Sequence, residues 1–388
     1  MTARVAITGR GTYLPEGVLG NDDVAALADA TRLRAFVEGN VWCRQRFAEW
    51  RANGSADADV ATLDRRVFAA FVGERVGIFE RRVLDRTSVL EHRVMKDATF
   101  GSDLGARAVV RALAQAGKLA TDVDVLILGS STPDSLCPAG SVTIQGRIGA
   151  TNAFAFDVQA ACSSFAFALA AARGLLLSGQ ARCAVVVAAE YFSAMTDWTE
   201  PATSYFAGDG AAAIVLEVDP PTRAGGGLEL VDTLCRSSHS ENIRTGVGGT
   251  RMLRAWEDPA TAAQARPGED GYRYFFQNGP QVYRDVLPTV DKASRDLLSR
   301  HGLAAADVAR WWVHQASLPM IEGVFHRILG RRPTPELVPL VLDRLGNTSS
   351  CGAAYCLAED RGLEPGQVGV LLAFGGGYTV GAALVRGT

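Results

Sequence analysis

The feature that most constrains the fold of this chain is an internal repetition of four short segments in the same order. The paired segments are residues 122–128 and 307–313, 156–164 and 342–350, 182–188 and 367–373, and 210–217 and 381–386. A single pair can arise by chance among apolar runs, whereas four pairs in one order are difficult to explain that way. We therefore predict two similar halves, at about 1–220 and 221–388, that stack into one pseudo-symmetric body with a site between them.

Continuous apolar runs bounded by turn residues indicate the fold class. These runs are residues 123–128, 184–188, 211–218, 311–313 and 368–374, and helical patterns occur at 165–177 and 282–300. Runs without alternation are typical of strands buried on both faces, with helices packed on either side of a largely parallel sheet. The pattern therefore predicts an α/β protein.

The composition excludes several classes of partner. The 388-residue chain has a formal net charge of -3, which gives no reason to expect nucleic acid or an anionic membrane as its main partner. No apolar run approaches the roughly 20 residues that span a bilayer, and the first residues enter a strand-like segment without a secretory signal. The seven cysteines form no CxxC pair and no Cys/His ligand spacing, so neither a metal site nor a disulfide framework is indicated. We expect a cytoplasmic protein that needs no metal and no other cofactor.

One segment, residues 31–74, has no counterpart in the second half. It carries four aromatic residues at helix-like spacing, then a turn-rich stretch at 52–57 and a second helical pattern. The aromatic residues are Phe36, Trp42, Phe47 and Trp50. Two interpretations stay open: a pair of amphipathic helices that pack their aromatic side chains onto the body, or a lid or docking surface over the site.

Cys162 is a candidate nucleophile. It lies between a strand-like run at 155–158 and an apolar helical pattern that starts near Ser164. A thiol at a helix N-terminus experiences the positive end of the helix dipole and unpaired N–H groups, which favour the thiolate needed to attack a thioester. The alternative is a small buried cysteine that fills the corner between strand and helix. Position alone leaves both interpretations open.

Two polar residues and a glycine triplet are further candidates for the site, because they follow buried runs or match the position of Cys162 in the repeat. His314 follows the buried run 311–313, at the carboxyl end of a strand, where α/β sheets place ligand-binding groups, although a lone histidine there is often structural. Asn347 occupies the symmetry-related place to Cys162, and its alternative role is a helix cap. The glycines at 375–377 end another buried run and offer N–H donors for an oxyanion, or form only a turn.

Together, these segments resemble ketoacyl synthase III and its relatives in the thiolase superfamily. The similar motifs are residues 157–165 (DVQAACSSF), 207–211 (AGDGA), 313–317 (VHQAS), 345–350 (LGNTSS) and 374–379 (FGGGYT). The resemblance extends to about residue 20 and from about residue 75 to the end. It implies the thiolase fold, in which two pseudo-symmetric βαβαβαββ halves stack into a five-layer αβαβα body.

The resemblance also implies a mechanism. Cys162 would attack an acyl thioester, while its own N–H and that of Gly376 hold the oxyanion. His314 and Asn347 would donate hydrogen bonds to the carbonyl of a second, malonyl-type thioester and stabilise the enolate left when carbon dioxide departs. The implied partners are acyl-coenzyme A or acyl carrier protein thioesters and a second copy of the chain in a homodimer.

Several positions depart from the family pattern. The tryptophan that stacks on the coenzyme A adenine corresponds to Phe71, although the arginine after it is retained as Arg75. Pro319 replaces an arginine that commonly follows the histidine motif. Both changes leave room for a carrier protein as the donor. Cys137 stands where a residue of the partner subunit reaches the acyl pocket, and Ala207 indicates a roomier acyl tunnel than a bulkier residue would leave.

The predicted activity is decarboxylative Claisen condensation by an acyltransferase, with a malonyl- or β-ketoacyl-type thioester as the second substrate. The segment 31–74 is foreign to short housekeeping enzymes, which favours a specialised fatty-acid or polyketide pathway. The alternative activity is acyl transfer from Cys162 to a hydroxyl or amine without elongation, and relatives of that kind often alter the residue retained here as Asn347. A non-catalytic scaffolding subunit is a third reading, but such subunits commonly lose the nucleophile.

The segment 31–74 carries a basic character that suits an acidic carrier protein. Its arginines include Arg44, Arg46, Arg51, Arg65 and Arg66. We expect the segment to fold as helices over the mouth of the acyl tunnel or beside it.

Overall fold

The apolar runs of the sequence form strands of one nine-stranded sheet. A computed structural model describes residues 3–27, 30–39, 41–53, 65–83, 100–220, 227–245 and 274–388. The strands are β1 (Val5–Tyr13), β2 (Gly17–Gly20), β3 (Glu80–Val83), β4 (Val125–Gly129), β5 (Phe154–Val158), β6 (Cys183–Tyr191), β7 (Asp209–Val218), β8 (Leu228–Ser240), β9 (Ile243–Arg244), β10 (Phe276–Gln277), β11 (Val308–Val313), β12 (Val368–Gly375) and β13 (Gly377–Gly387). The large sheet has the order β11-β12-β13-β8-β1-β7-β6-β4-β5.

The helices alternate with these strands along much of the chain. They are α1 (Asn21–Leu27), α2 (Ala30–Gly39), α3 (Val41–Ala52), α4 (Arg65–Val76), α5 (Gly101–Ala116), α6 (Gly140–Ile148), α7 (Ser164–Leu177), α8 (Pro201–Ser204), α9 (Gly279–Ser299), α10 (Leu318–Leu329), α11 (Leu342–Leu345) and α12 (Cys351–Glu359). Within the described ranges, no helix has the length and apolar content that crossing a membrane requires.

The strand directions correct one prediction. Among the described strands of the large sheet, only the pairs β4–β5, β4–β6 and β11–β12 are parallel. The pairs β6–β7, β7–β1, β1–β8, β8–β13 and β13–β12 are antiparallel. The prediction of a largely parallel sheet is therefore wrong. Continuous apolar runs report burial on both faces, and β12 and β13 are almost fully buried although they run in opposite directions.

Three layers of helices pack against the sheet: the part around β4 and the part around β12 each have an outer layer of their own, and they share the middle layer. On β4, Leu126 belongs to a cluster with α5 and α6, while its neighbour Ile127 belongs to a second cluster with α7 and α12. On β12, Leu371 belongs to that second cluster, and Leu372 belongs to a third cluster with α9 and α10. Because successive residues of a strand point to opposite faces, the layers follow the order αβαβα. This is the thiolase fold that the resemblance predicted.

The repeated segments adopt matching local structures. In the first half, Asp122 Oδ2 accepts a hydrogen bond of 2.8 Å from the backbone N–H of Leu119, in a short 3-10 turn that leads into β4. In the second half, Asp307 Oδ2 accepts one of 2.7 Å from the N–H of Ala304, in a 3-10 turn that leads into β11. This pair of repeated segments therefore forms the same turn before a strand of the sheet in each half. The predicted boundary at 220 adjoins residues 221–226, which lie outside the described residues.

The segment 31–74 contributes most of α2, the whole of α3 and most of α4. Phe47 and Trp50 are buried, and Phe36 packs edge-on against Phe68 of α4 with ring centroids 6.0 Å apart. The Trp42 side chain lies outside the described residues. The aromatic residues that can be placed therefore pack inward.

The same segment lies against the part of the chain that leads to Ala207. The Phe68 ring contacts the Tyr205 ring with centroids 5.1 Å apart, and Arg32 Nη1 donates a hydrogen bond of 2.6 Å to Thr199 Oγ1. Ala207 shares one apolar cluster with the buried side chains of α2, α3 and α4. The described part of the segment 31–74 is thus packed beside the region where the acyl tunnel is predicted.

Candidate active site

Cys162 lies in a tight turn between β5 and α7. Ala161, the residue before it, has φ of 49°, in the left-handed region that residues with a side chain seldom adopt. The Ser164 side-chain Oγ accepts a hydrogen bond of 2.8 Å from the backbone N–H of Ala160, which closes the turn. Such backbone outliers concentrate at functional sites. The turn places Cys162 two residues before the first residue of α7.

The thiol of Cys162 is less acidic than its position suggests. Burial raises its pKa to about 11, and the negative charge of Glu190 acts in the same direction. The Ser349 hydroxyl and the backbone N–H groups of Cys162 and Gly376 lower the pKa but do not compensate. The prediction that the helix start favours the thiolate is therefore wrong here, because desolvation outweighs the contribution of the helix terminus.

The glycine loop after β12 packs directly on this turn. A Cβ at Gly375 would lie 2.7 Å from the backbone nitrogen of Cys162, so a side chain at that position has no room. Thr379 Oγ1 donates a hydrogen bond of 2.8 Å to the carbonyl of Ala160, and Ser163 Oγ donates one of 3.1 Å to the carbonyl of Thr379. These contacts hold the loop against Cys162.

His314 lies immediately after the last residue of β11 and is buried. Its backbone N–H donates a hydrogen bond of 2.8 Å to Leu372, and Phe374 packs edge-on against its ring at 5.3 Å. Burial lowers the pKa of His314 to about 4, and the backbone of Ser349 opposes this only in part. The imidazole is therefore neutral at pH 7. Its Nδ1 has no hydrogen-bond partner in the described part of the chain.

Asn347 is fixed by backbone contacts on both sides of Ala207. Its N–H donates to the carbonyl of Phe206 at 2.5 Å, and its carbonyl accepts from the N–H of Gly208 at 3.0 Å. Its side-chain Oδ1 accepts a hydrogen bond of 2.9 Å from the N–H of Ser349. This contact identifies Oδ1 as the acceptor end, so the amide Nδ2 is the end that can donate to a substrate. Ala207 is fully buried beside it.

Ser349 connects the three candidate residues, and the sequence analysis missed it. Its hydroxyl donates to Cys162 Sγ at 3.5 Å, its N–H orients Asn347, and its backbone lies beside the His314 ring. Its φ is 48°, in the same uncommon region as Ala161. The available signal was the Ser-Ser pair that follows Asn347, because a similar pair follows Cys162.

Cys137 lies on the connection between β4 and α6, and it is exposed. Asp157 supports that connection, because its carboxylate accepts hydrogen bonds of 2.9 and 2.8 Å from the N–H groups of Gly140 and Ser141 at the start of α6. Asp157 therefore couples the strand that leads to Cys162 to the segment predicted to reach the partner subunit.

Phe71 and Arg75 lie on α4, where only Phe71 can be described in full. The Phe71 ring is 2% exposed and packs edge-on against Phe47 and Trp50, at centroid distances of 5.2 and 5.8 Å. A ring in that environment has no open face on which an adenine could stack. The Arg75 side chain lies outside the described residues.

Comparison with known proteins agrees with this fold. Residues 156–235 match the family described as 3-Oxoacyl-[acyl-carrier-protein (ACP)] synthase III, and residues 298–387 match its C-terminal family. A beta-ketoacyl-[acyl-carrier-protein] synthase III of Xanthomonas campestris pv. campestris (strain 8004) is 30% identical over 383 residues, which cover 98% of this chain and 97% of that protein. The protein of the same name from Bradyrhizobium diazoefficiens is 33% identical over 322 residues, which cover 82% and 93%.

Solved structures share the architecture. The 3-oxoacyl-(acyl carrier protein) synthase III of Pseudomonas aeruginosa PAO1 has a TM-score of 0.73 and 26% identity, with 99% of this chain and 98% of that chain covered. The priming beta-ketosynthase from the R1128 polyketide biosynthetic pathway has a TM-score of 0.74 at 24% identity, with 100% and 97% covered. The second likeness concerns the fold alone.

The fold and the site define a condensing enzyme of the thiolase superfamily, which is an acyltransferase. Within that superfamily, the chain belongs to the beta-ketoacyl-[acyl-carrier-protein] synthase III family.

Proposed function

We propose that this enzyme takes an acyl group from a thioester onto Cys162 and then condenses it with a malonyl-type thioester, with loss of carbon dioxide. The observation that carries the proposal is the convergence of Cys162, His314 and Asn347 on one residue, Ser349. A nucleophile and two neutral hydrogen-bond donors at one point are what the two half-reactions need.

In the first half-reaction, Cys162 sulfur attacks the acyl carbonyl, the carbon–sulfur bond to the donor breaks, and the donor leaves as a thiolate. The backbone N–H groups of Cys162 and Gly376 both lie close enough to the sulfur to lower its pKa. They are therefore suitably placed to donate to the oxyanion that forms on the attacked carbonyl, since an oxyanion hole needs donors beside the reacting atom. The closely packed glycine loop keeps Gly376 in that position.

In the second half-reaction, His314 and the Asn347 amide Nδ2 donate to the thioester carbonyl of the malonyl-type substrate. The carbon–carbon bond to the carboxylate breaks, carbon dioxide leaves, and the electron pair forms an enolate that the two donors stabilise. The enolate carbon attacks the acyl carbonyl on Cys162, and the Cys162 thiolate departs. A neutral imidazole suits this role, and the low pKa of His314 keeps the ring neutral.

The non-elongating alternative, acyl transfer to a hydroxyl or amine, needs no donor for a second thioester. The orientation of Asn347 by Ser349 therefore supports condensation, because it presents an amide donor that simple acyl transfer would not use. We place the enzyme in a specialised fatty-acid or polyketide pathway, and we retain the predicted cytoplasmic location.

The thioester carrier and the assembly are part of the same proposal. The buried position of Phe71 removes the adenine-stacking surface expected for coenzyme A, which favours an acyl carrier protein as the physiological donor. Strand β5 ends the order of the large sheet and presents Phe154, which is 47% exposed, as an apolar surface. We infer that two copies pair along this edge, as a homodimer in which Cys137 faces the acyl pocket of the other copy.

A two-substrate assay tests the proposed function. The enzyme is incubated with an acyl thioester and a malonyl thioester labelled at the free carboxylate, and the products are analysed by mass spectrometry. We expect release of labelled carbon dioxide and a β-ketoacyl thioester two carbons longer than the donor. Acyl transfer to a hydroxyl or amine acceptor without carbon dioxide release would overturn condensation in favour of the alternative.

A further inference from the structure

Glu190 is a fully buried carboxylate to which the proposed mechanism gives no role. It lies near the carboxyl end of β6, in an otherwise apolar strand. Its oxygens accept hydrogen bonds from the Ser131 N–H at 3.1 Å, from Thr132 Oγ1 at 2.6 Å and from the Ser350 N–H at 3.2 Å, and the Ser350 hydroxyl also contacts them. No ion pair among the described residues includes it. A buried carboxylate without a cation is costly, so such a group usually has a reason to be retained.

A continuous chain of hydroxyl groups joins this carboxylate to the nucleophile. Glu190 Oε2 lies 3.1 Å from Ser131 Oγ, which lies 2.7 Å from Ser349 Oγ, which lies 3.5 Å from Cys162 Sγ. The Ser131 hydroxyl donates to Glu190 and the Ser349 hydroxyl donates to Cys162 Sγ. Each hydroxyl has a single hydrogen, so a proton can pass only after the Ser349 hydroxyl turns towards Ser131 and all three links point the same way. In that arrangement the Cys162 thiol donates to Ser349, and the links run from sulfur towards Glu190. When Glu190 holds the proton, every link is reversed.

We propose that Ser349 and Ser131 carry the thiol proton of Cys162 to Glu190 when Cys162 is acylated, and return it when the acyl group leaves. The S–H bond of Cys162 breaks, each hydroxyl passes its own proton on, and an O–H bond forms on Glu190. The donor leaves as a thiolate, which takes its proton from solvent. After condensation, the departing Cys162 thiolate recovers the proton from Glu190, which restores the resting enzyme. Ser349 touches the reacting sulfur, and Glu190 acts through the two serines as a positioning residue.

The surroundings of the chain favour this acceptor. Burial raises the pKa of Cys162 to about 11, so direct loss of its proton to solvent is unfavourable at pH 7. Burial also raises the pKa of Glu190, which makes its carboxylate a better base than an exposed one. The other titratable groups that face the chain are His314 and Cys351. Burial lowers the pKa of His314 to about 4, so its ring is too weak a base to accept this proton near pH 7. Burial raises the pKa of Cys351 well above its ordinary value, so its thiol already carries a proton and cannot accept another.

The pH dependence of the Cys162 thiolate population differs between the two routes of proton loss, even without a substrate. Transfer from Cys162 to Glu190 leaves the number of bound protons unchanged, so the thiolate that it produces has a population that does not depend on pH. Without an internal acceptor, the thiolate forms only by loss of a proton to solvent, and its fraction rises tenfold for each pH unit below the pKa.

Alkylation of Cys162 by iodoacetamide distinguishes the two cases. Rates are measured between about pH 6 and 8, around the ordinary range of thiol and carboxyl titration, and the modified peptide is identified by mass spectrometry. We expect the wild-type rate to rise by distinctly less than tenfold per unit, because the relay adds a thiolate population that does not depend on pH, and we expect the full tenfold rise per unit for Glu190→Gln. The slopes decide, because the lost negative charge also lowers the pKa of Cys162 in the variant. Equal slopes in the two proteins would overturn the proposal.

Variants of Ser131 test the path itself through single-turnover acylation, which rests on the proposed function. Ser131→Ala breaks the chain while keeping Glu190, and we expect acylation about 10²-fold slower, the lower range for a lost proton acceptor. Ser131→Thr keeps a hydroxyl and restores most of the rate. Ser130→Ala, the matched control, removes a hydroxyl 3.2 Å from Glu190 that is not between Glu190 and Cys162. Equal losses in all three variants would show that the serines are only structural and would overturn the path. If no thioester acylates the wild type, the proposed function fails, whereas the alkylation slopes still decide the relay.

Discussion

The backbone N–H of Ser349 donates a hydrogen bond of 2.9 Å to the side-chain Oδ1 of Asn347. A side-chain amide has one acceptor end and one donor end, so a contact that occupies Oδ1 decides which atom faces the substrate. The same residue touches Cys162 Sγ with its hydroxyl. The orientation of the second-substrate donor and the environment of the nucleophile therefore depend on one backbone turn.

Replacement of Asn347 separates the two half-reactions. Asn347→Asp keeps the Oδ1 acceptor for Ser349 but has no donor, and Asn347→Ala loses both. We expect each variant to acylate Cys162 while carbon dioxide release from a malonyl thioester falls by about 10²–10³, the usual cost of losing one such donor. Acylation is followed by intact mass and decarboxylation by labelled carbon dioxide. Normal decarboxylation combined with failed acylation would mean that the roles are assigned the wrong way round.

The low pKa of His314 makes the stability of the protein depend on pH. The folded protein binds the ring proton less tightly than the unfolded chain, whose histidine pKa is 6.5, so this contribution is lost as the pH falls from 6.5 towards 4. We expect His314 to lower the free energy of unfolding by about 2 kcal/mol between pH 7 and pH 5. The free energy of unfolding is measured with denaturant at both pH values for the wild type and for His314→Gln. The difference between the two proteins gives the contribution of His314, because all other groups titrate alike in both. An equal pH effect in both proteins would exclude a neutral, buried His314.

The proposed homodimer predicts a mass of twice the 41.1 kDa chain by light scattering. Phe154 lies on the edge strand β5, and its ring stacks with that of Phe156. We expect Phe154→Asp to yield monomers because a charge there must be desolvated when the edges pair. Leu119→Asp is the control, since Leu119 is 70% exposed but lies on the turn before β4. A monodisperse and active wild-type monomer would contradict this assembly.

Charge reversal in the segment 31–74 tests whether it binds a carrier protein. Arg66 is exposed on α4, and the Arg65 side chain lies outside the described residues. We expect the double variant Arg65→Glu and Arg66→Glu to raise KM for carrier-bound acyl groups several-fold and to leave small thioester analogues unaffected, because only docking is changed. Arg331→Glu combined with Arg361→Glu, at two other exposed positions, is the matched control for net charge. An equal loss on both substrates would indicate lost stability, and no loss on either would leave the segment as a structural addition.

Much of the fold could be predicted from the sequence, because a strand or helix that is buried requires apolar residues, and their pattern is visible in the sequence. The predicted run at 184–188 lies inside β6, and the helical pattern at 165–177 matches α7 almost residue for residue. Strand direction could not be read in this way, because β12 and β13 bury both faces while running antiparallel. Direction depends on how the chain reverses between strands, and an apolar pattern carries no record of it.

The candidate site could be predicted from the sequence where a single residue lies in a recognisable motif, but not where a property of the site depends on contacts between distant segments. Cys162, His314 and Asn347 could be named from their motifs, but the acidity of Cys162 could not, because its desolvation depends on distant packing. Glu190 was overlooked although a single carboxylate near the end of a buried strand is a visible signal. Its contacts with Ser131 and Ser350 join segments more than 50 residues away in sequence.

The site of acylation tests the central claim most directly. The enzyme is incubated with a panel of acyl thioesters of different chain length, on coenzyme A and on a carrier protein, and is then analysed by intact mass and peptide mapping. The account predicts one acyl group per chain, on the peptide that contains Cys162, and no such adduct in Cys162→Ala. An acyl group on Cys137 or Cys351, or no adduct with any donor of the panel, would contradict it.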